Sequence, residues 1–125
     1  MRKLVKVNGC KLLVNVSDMA FMSRLAEANK AQQAAFTSAT VDFPDDDPQA
    51  QYKRVGVCVL AVCKFYDDLY GAGTADRVFH RTNDAAIYLK AGQEFSKGLE
   101  AAVEAFTRGP SHTGTLKVNA SIKRR

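Results

Sequence analysis

Residues 5–16 read VKVNGCKLLVNV. Asn8-Gly9 at its centre is the strongest short-range hairpin signal, because both residues tolerate the positive φ of a tight type I′ turn. The flanks, 4–7 and 11–16, read as short strands, and the second alternates at Leu12, Val14 and Val16. An isolated hairpin is marginal in water and needs a third strand or a helix. Most of the remaining chain reads as helix, so the fold turns on what this hairpin packs against.

Ser17 is a good N-cap for a helix over 18–36, with Met22, Leu25, Ala28 and Phe36 on a loose apolar stripe. The second half of that helix has little apolar bulk and is expected to be more exposed. Residues 37–47, TSATVDFPDDD, form a connector. The aspartate run lacks the alternate ligand spacing and central glycine of a calcium loop. It reads instead as Asp47 capping a helix with Pro48 in its first turn.

The central helix spans 48–70. Tyr52, Val55, Val59, Val62, Tyr66 and Leu69 recur at threes and fours, and Gly71 stands where a terminating glycine belongs. Val57, Leu60 and Phe65 lie off that stripe. The helix is therefore apolar nearly all round and expected in the middle of the core. Thr74 caps a short helix over 75–80, with Phe65 and Phe79 packing across the turn. Thr82 or Asn83 caps a last long helix over 84–107. Its stripe is Tyr88, Gly92, Phe95, Leu99, Val103 or Ala102, and Phe106, and Gly109-Pro110 ends it. Val59, Val62, Phe95 and Leu99 are expected to be nearly fully buried, with the central and last helices packed on each other.

Residues 115–123, TLKVNASIK, alternate strictly and read as a strand that pairs with one edge of the hairpin, within the chain or between subunits. The fold class is thus mainly α with a small antiparallel β element (α+β). It comprises an N-terminal β-hairpin, a bundle of two or three long helices plus a short one, and a C-terminal β-like tail. The chain divides into a hairpin plus helical domain, 1–109, and a basic C-terminal strand or tail, 110–125.

The chain has 125 residues, 46% apolar and 25% charged, as expected of one ordinary globular domain. Its longest apolar run, 55–63, is far short of the ~20 residues of a membrane span. No signal peptide is legible. The net charge is +5, and residues 1–107 balance thirteen cations against thirteen acids. The excess comes from Arg108, Lys117, Lys123, Arg124 and Arg125, with a local cluster of Arg2, Lys3, Lys6 and Lys11 at the other end. Basic ends bind nucleic acid or acidic proteins, or are simply solvated.

Local motifs of catalysis are missing. The three cysteines, Cys10, Cys58 and Cys63, have no disulfide or metal spacing and read as small apolar residues in a reducing compartment. Neither His80 nor His112 stands at metal-ligand spacing from a cysteine or carboxylate. GAGT at 71–74 comes after a helix rather than a strand, so the dinucleotide fingerprint fails. The expectation is a non-enzymatic protein with no cofactor and no metal.

Residues 63–106 carry a resemblance. Phe65, Asp67, Asp68, Gly71, Gly73, Thr74, Ala75 and Phe79 fit the passage F-x-D-D-x-x-G-x-G-T-A-x-x-x-F, and Val7-Asn8-Gly9 fits a hairpin start. Over residues 5–107 the chain resembles small phage and prophage proteins that look like tail assembly chaperones of Gram-positive siphophages. The resemblance implies a phage morphogenesis protein in the host cytoplasm that binds the tape-measure or tail tube protein, as a possible homo-oligomer and without a membrane. The basic segment 108–125 departs from that pattern. Asp67 and Asp68, unfavourable at a helix C-terminus, need compensation by Arg77 or Arg81, or else offer an acidic contact surface. With Lys117, Lys123, Arg124 and Arg125 they are the candidate partner-binding residues. Nucleic acid is expected to bind only weakly and with strong salt dependence; the alternative is a small basic phage protein that binds nucleic acid or inhibits a host nucleic-acid machine.

Overall fold

A computed structural model of the chain describes residues 2–43 and 47–108. The order is β1 (Arg2–Val7), β2 (Cys10–Asn15), α1 (Met19–Asp42), α2 (Pro48–Tyr70), α3 (Thr74–Phe79) and α4 (Ala85–Arg108). The molecule is mainly helical with one antiparallel hairpin, an α+β fold. The C-terminal strand expected over 116–123 lies outside the described residues.

Asn8 and Gly9 take φ of 49° and 78°, the two positive values a type I′ turn requires. Pairing runs from Val7 opposite Cys10 to Arg2 opposite Asn15. The pleat then puts Val5, Val7, Leu12 and Val14 on one face, all buried. Among the described residues, that face packs on helices rather than on a third strand. α4 crosses beneath β1, and Gly98 makes the approach possible. A Cβ there would stand 2.3 Å from a Val5 methyl. The turn is tied down twice. The Asn8 backbone N–H donates to Glu94 Oε1 at 2.8 Å, and the Asn8 side-chain amide donates to the Val78 carbonyl at 2.8 Å.

Beneath the hairpin lies an aromatic cluster. Tyr66 meets Phe65, Phe79 and Phe95 edge-on, with ring centroids 5.2 to 5.8 Å apart. Tyr88 lies 4.4 Å from Phe79. Phe65 and Phe79 are thus joined through Tyr66. The Tyr70 hydroxyl donates to the Leu13 carbonyl, and the Tyr88 hydroxyl to the Thr82 carbonyl. Burial raises the pKa of Tyr66 and Tyr70 well above the usual phenol value.

α1 and α2 run antiparallel: Arg24 reaches the Leu69 carbonyl at one end, and Arg54 reaches the Phe43 carbonyl at the other. α1 begins at Asp18, not Ser17. The Asp18 carboxylate accepts the Ala20 N–H at 2.9 Å, while Ser17 turns back to Asn15. α1 also continues to Asp42, through most of the expected connector. Its alanines explain why. Ala28 and Ala39 are buried, and Ala31 and Ala35 lie close to Ala61 of α2, so packing overrides weak local propensity.

α2 has its expected bounds. Asp47 accepts the Gln49 N–H, Pro48 occupies the first turn, and Gly71 comes next after the last turn with φ of 114°. Its expected burial all round does not hold. Tyr66 and Leu69 are 1% and 2% exposed, whereas Tyr52 is 81% exposed. Burial falls off along the stripe because α1 covers only one side of the first half of the helix and no described element covers the side that carries Tyr52. Of the four expected core residues only Phe95 is buried; Val59, Val62 and Leu99 are half-buried. The reason is that α4 lies chiefly against β1 and meets α2 only near the aromatic cluster. α4 starts after Asp84, whose carboxylate accepts the Ala86 N–H, rather than from a Thr82 or Asn83 cap.

Candidate functional site

The space between α1, α2 and α4 forms a groove of about 890 Å³. Phe65, Tyr66 and Phe95 form its floor. Met22, Leu25 and Phe36 line it from α1, Val55, Val59 and Val62 from α2, and Leu89, Gly92, Ser96 and Leu99 from α4. Its polar lining is almost wholly neutral: Asn29, Gln32, Gln33 and Gln93, with Arg54 as the charged residue among them. An apolar trough with amide rims fits the apolar side of a helix, not an anion or a metal. A second, shallower concavity beside it involves Tyr52, Gly56 and Leu60.

α4 carries two apolar stripes, one residue out of phase. Tyr88, Ala91, Phe95, Gly98 and Ala102 face the hairpin and the core. Ala85, Leu89, Gly92, Ser96 and Leu99 face the groove, and the same spacing continues to Val103 and Phe106. The residues of the single stripe expected from sequence come from both. Leu89 is 69% exposed and Phe106 47%. Gly92 has open space where a Cβ would stand, and so has Gly56 on α2. A helix-interior glycine costs about 1 kcal/mol against alanine, and no intramolecular contact of the described residues explains either one.

The expected contact residues divide. The Asp67 carboxylate accepts the Ala75 N–H at 2.8 Å and so caps the start of α3. Asp68 pairs with Lys64 one turn earlier. Compensation therefore comes from the α3 backbone and Lys64. Arg81 pairs with Asp76 instead. Lys117, Lys123, Arg124 and Arg125 lie outside the described residues. The signal for the groove, the 89–92–96–99–103–106 spacing, is present in the sequence but overlaps the stronger aromatic stripe.

The cysteines are free and half-buried. Cys58 lines the groove, and partial burial raises its pKa despite Arg54 nearby. Burial first, then Asp67 and Asp76, raise that of Cys63. Among the described residues no group of His, Cys, Asp or Glu is placed to hold a metal ion, and no helix is long and apolar enough to cross a membrane.

No curated protein and no solved structure matches the chain. A family model covers residues 8–115, from the hairpin turn past the end of α4, and by that match the chain belongs to DUF6673, a family of unknown function.

Proposed function

We propose that the protein is a non-enzymatic binding factor whose groove holds one amphipathic helix of a partner protein. The observation that carries this reading is the second stripe of α4. It lines an open apolar groove and has a glycine at its centre with nothing against it. Gly92 and Ser96 let a helix approach closely, while Leu89 and Leu99 supply apolar area. The resemblance to phage tail assembly chaperones supports a partner class, a tape-measure protein with long amphipathic helices or a tail tube subunit, met in the host cytoplasm.

The test is binding of labelled amphipathic helical peptides from such a partner, measured by fluorescence anisotropy on the full chain. Leu89→Asp and Gly92→Leu are expected to weaken binding at least ~10-fold, the loss of one apolar anchor or of close approach. Both sites are exposed, so neither variant should lose its fold, and Gly92→Leu should melt higher through helix propensity. Binding unaffected by both substitutions, or no binding at all, refutes the groove reading. The nucleic-acid alternative draws support from Arg2, Lys3, Lys6 and Lys11. It predicts sequence-specific duplex binding that survives about 150 mM salt, whereas binding lost at that salt reflects the basic ends alone.

A further inference from the structure

The hairpin has a closed edge and an open one. Val7 and Cys10 flank the two-residue turn and exchange hydrogen bonds, so Val5 with Leu12 and Lys3 with Val14 do the same. The backbone groups of Arg2, Leu4, Lys6, Lys11, Leu13 and Asn15 therefore point outward, and no described residue bonds to those of Lys11. On β2 two are engaged: the Leu13 carbonyl accepts the Tyr70 hydroxyl at 2.8 Å, and the Asn15 carbonyl accepts the Asp18 N–H at 3.1 Å. On β1 no described residue hydrogen-bonds to the outward groups of Leu4 and Lys6.

The outer face of the same hairpin is cationic around an apolar centre. Leu4 and Leu13 stand opposite each other, 60% and 37% exposed. Lys6 stands opposite Lys11, a like-charged cross-strand pair that costs stability. No described acid makes an ion pair with Arg2, Lys3, Lys6 or Lys11. Lysines on an edge are a common defence against unwanted pairing. A merely defended edge has no use for an exposed leucine pair between its charges.

We infer that β1 is a docking edge for an extended acidic segment of another protein, one whose side chains on a single face run acidic, apolar, acidic. It would add as a third strand on Leu4 and Lys6. Its carboxylates would meet Arg2 and Lys6, and the apolar residue between them would meet Leu4, all on the outer face. The charge also selects against the chain's own C-terminal residues. Residues 108–125 hold five cations and no acid. The surface is separate from the groove, so the two readings stand or fall independently.

The experiment is amide exchange by NMR on the full chain at about 150 mM salt. The probes are a short peptide with Glu, Val and Glu at every second position (the Glu–Val peptide), its Lys–Val counterpart, and duplex DNA. The Leu4 and Lys6 amides should exchange quickly in the free protein and slow at least ~10-fold with the Glu–Val peptide alone. Leu4→Pro keeps every cation but removes an outward donor and should abolish that protection. Lys6→Glu with Lys11→Glu, both at exposed sites, should abolish peptide binding without loss of fold and serves if the proline variant unfolds. The inference is overturned by equal affinity for the Lys–Val peptide, or by Glu–Val binding without protection at Leu4 and Lys6. Tighter binding of DNA at the same residues also overturns it. So does protection already present in the free chain that vanishes when residues 109–125 are deleted, since the edge then belongs to the chain's own tail.

Discussion

Gly98 and Gly92 lie within two turns of each other on α4 and face different sides of the helix. Gly98 sits beneath the hairpin, where any side chain would collide with Val5. Gly92 faces the groove, where a side chain would meet nothing. Around Gly98 the structure is closed, with Val5, Val7, Leu12 and Val14 of the hairpin and Ala102 of α4 all buried. Around Gly92 it is open, with Leu89 and Val55 largely exposed. One helix thus completes a core with one stripe and offers the other. The lesson is that an amphipathic period says a face will be covered, not by what.

That contrast predicts very unequal responses to truncation. Phe95→Ala removes a ring shared by Phe65 and Tyr66 and is expected to cost about 3–5 kcal/mol in urea unfolding. Leu89→Ala, on the same helix, should stay within ~0.5 kcal/mol. Equal losses would show that the groove side is as closed as the hairpin side.

The two glycines sharpen the point, because one substitution should change sign with position. Gly98→Ala forces α4 off Val5 and is expected to cost about 1–3 kcal/mol. Gly92→Ala should stabilise the isolated protein by up to ~1 kcal/mol, from helix propensity alone. Thermal melts of both variants decide it, and a destabilising Gly92→Ala would mean that the groove is filled within the chain.

The closed end should also fail first in alkali. Tyr66 and Tyr70 have folded pKa values raised by burial, whereas the unfolded chain ionises near the ordinary value of ~10. Below that value the contribution is fully present. As pH climbs from there toward the folded value, the unfolded state releases protons that the folded state keeps, so stability falls. Denaturation midpoints between pH 8 and pH 11 (roughly spanning the phenol value) should decline, and less so in Tyr70→Phe.

The smallest effect is kinetic and leaves stability untouched. Cys58 and Cys63 both have raised pKa values, so both thiols should alkylate slowly at neutral pH and faster as pH rises. Only Cys58 lines the groove. A peptide bound there should slow alkylation of Cys58 and leave Cys63 unchanged. Equal protection of both would place the peptide elsewhere.

Local chemistry made much of this architecture readable. Asn8-Gly9 dictates a turn because few residue pairs accept two positive φ values. Asp47, Pro48 and Gly71 bound α2 because capping and proline geometry act within one turn. The alternation of Val5, Val7, Leu12 and Val14 fixes which face of the hairpin is buried. Tertiary structure decided the rest. α1 runs on to Asp42 because its alanines lie against α2, a contact that local propensity does not contain. Asp67 looks uncompensated in sequence because its partner is a backbone N–H eight residues ahead, across a turn, whereas the one-turn pairing of Asp68 with Lys64 is local and there to be read. The hairpin's partner is α4 because Gly98 allows the approach, and glycine in a helix does not announce what comes near it. The groove is the least local feature: it is space left between three helices, and its walls are chosen by how those helices diverge, not by any one segment's sequence.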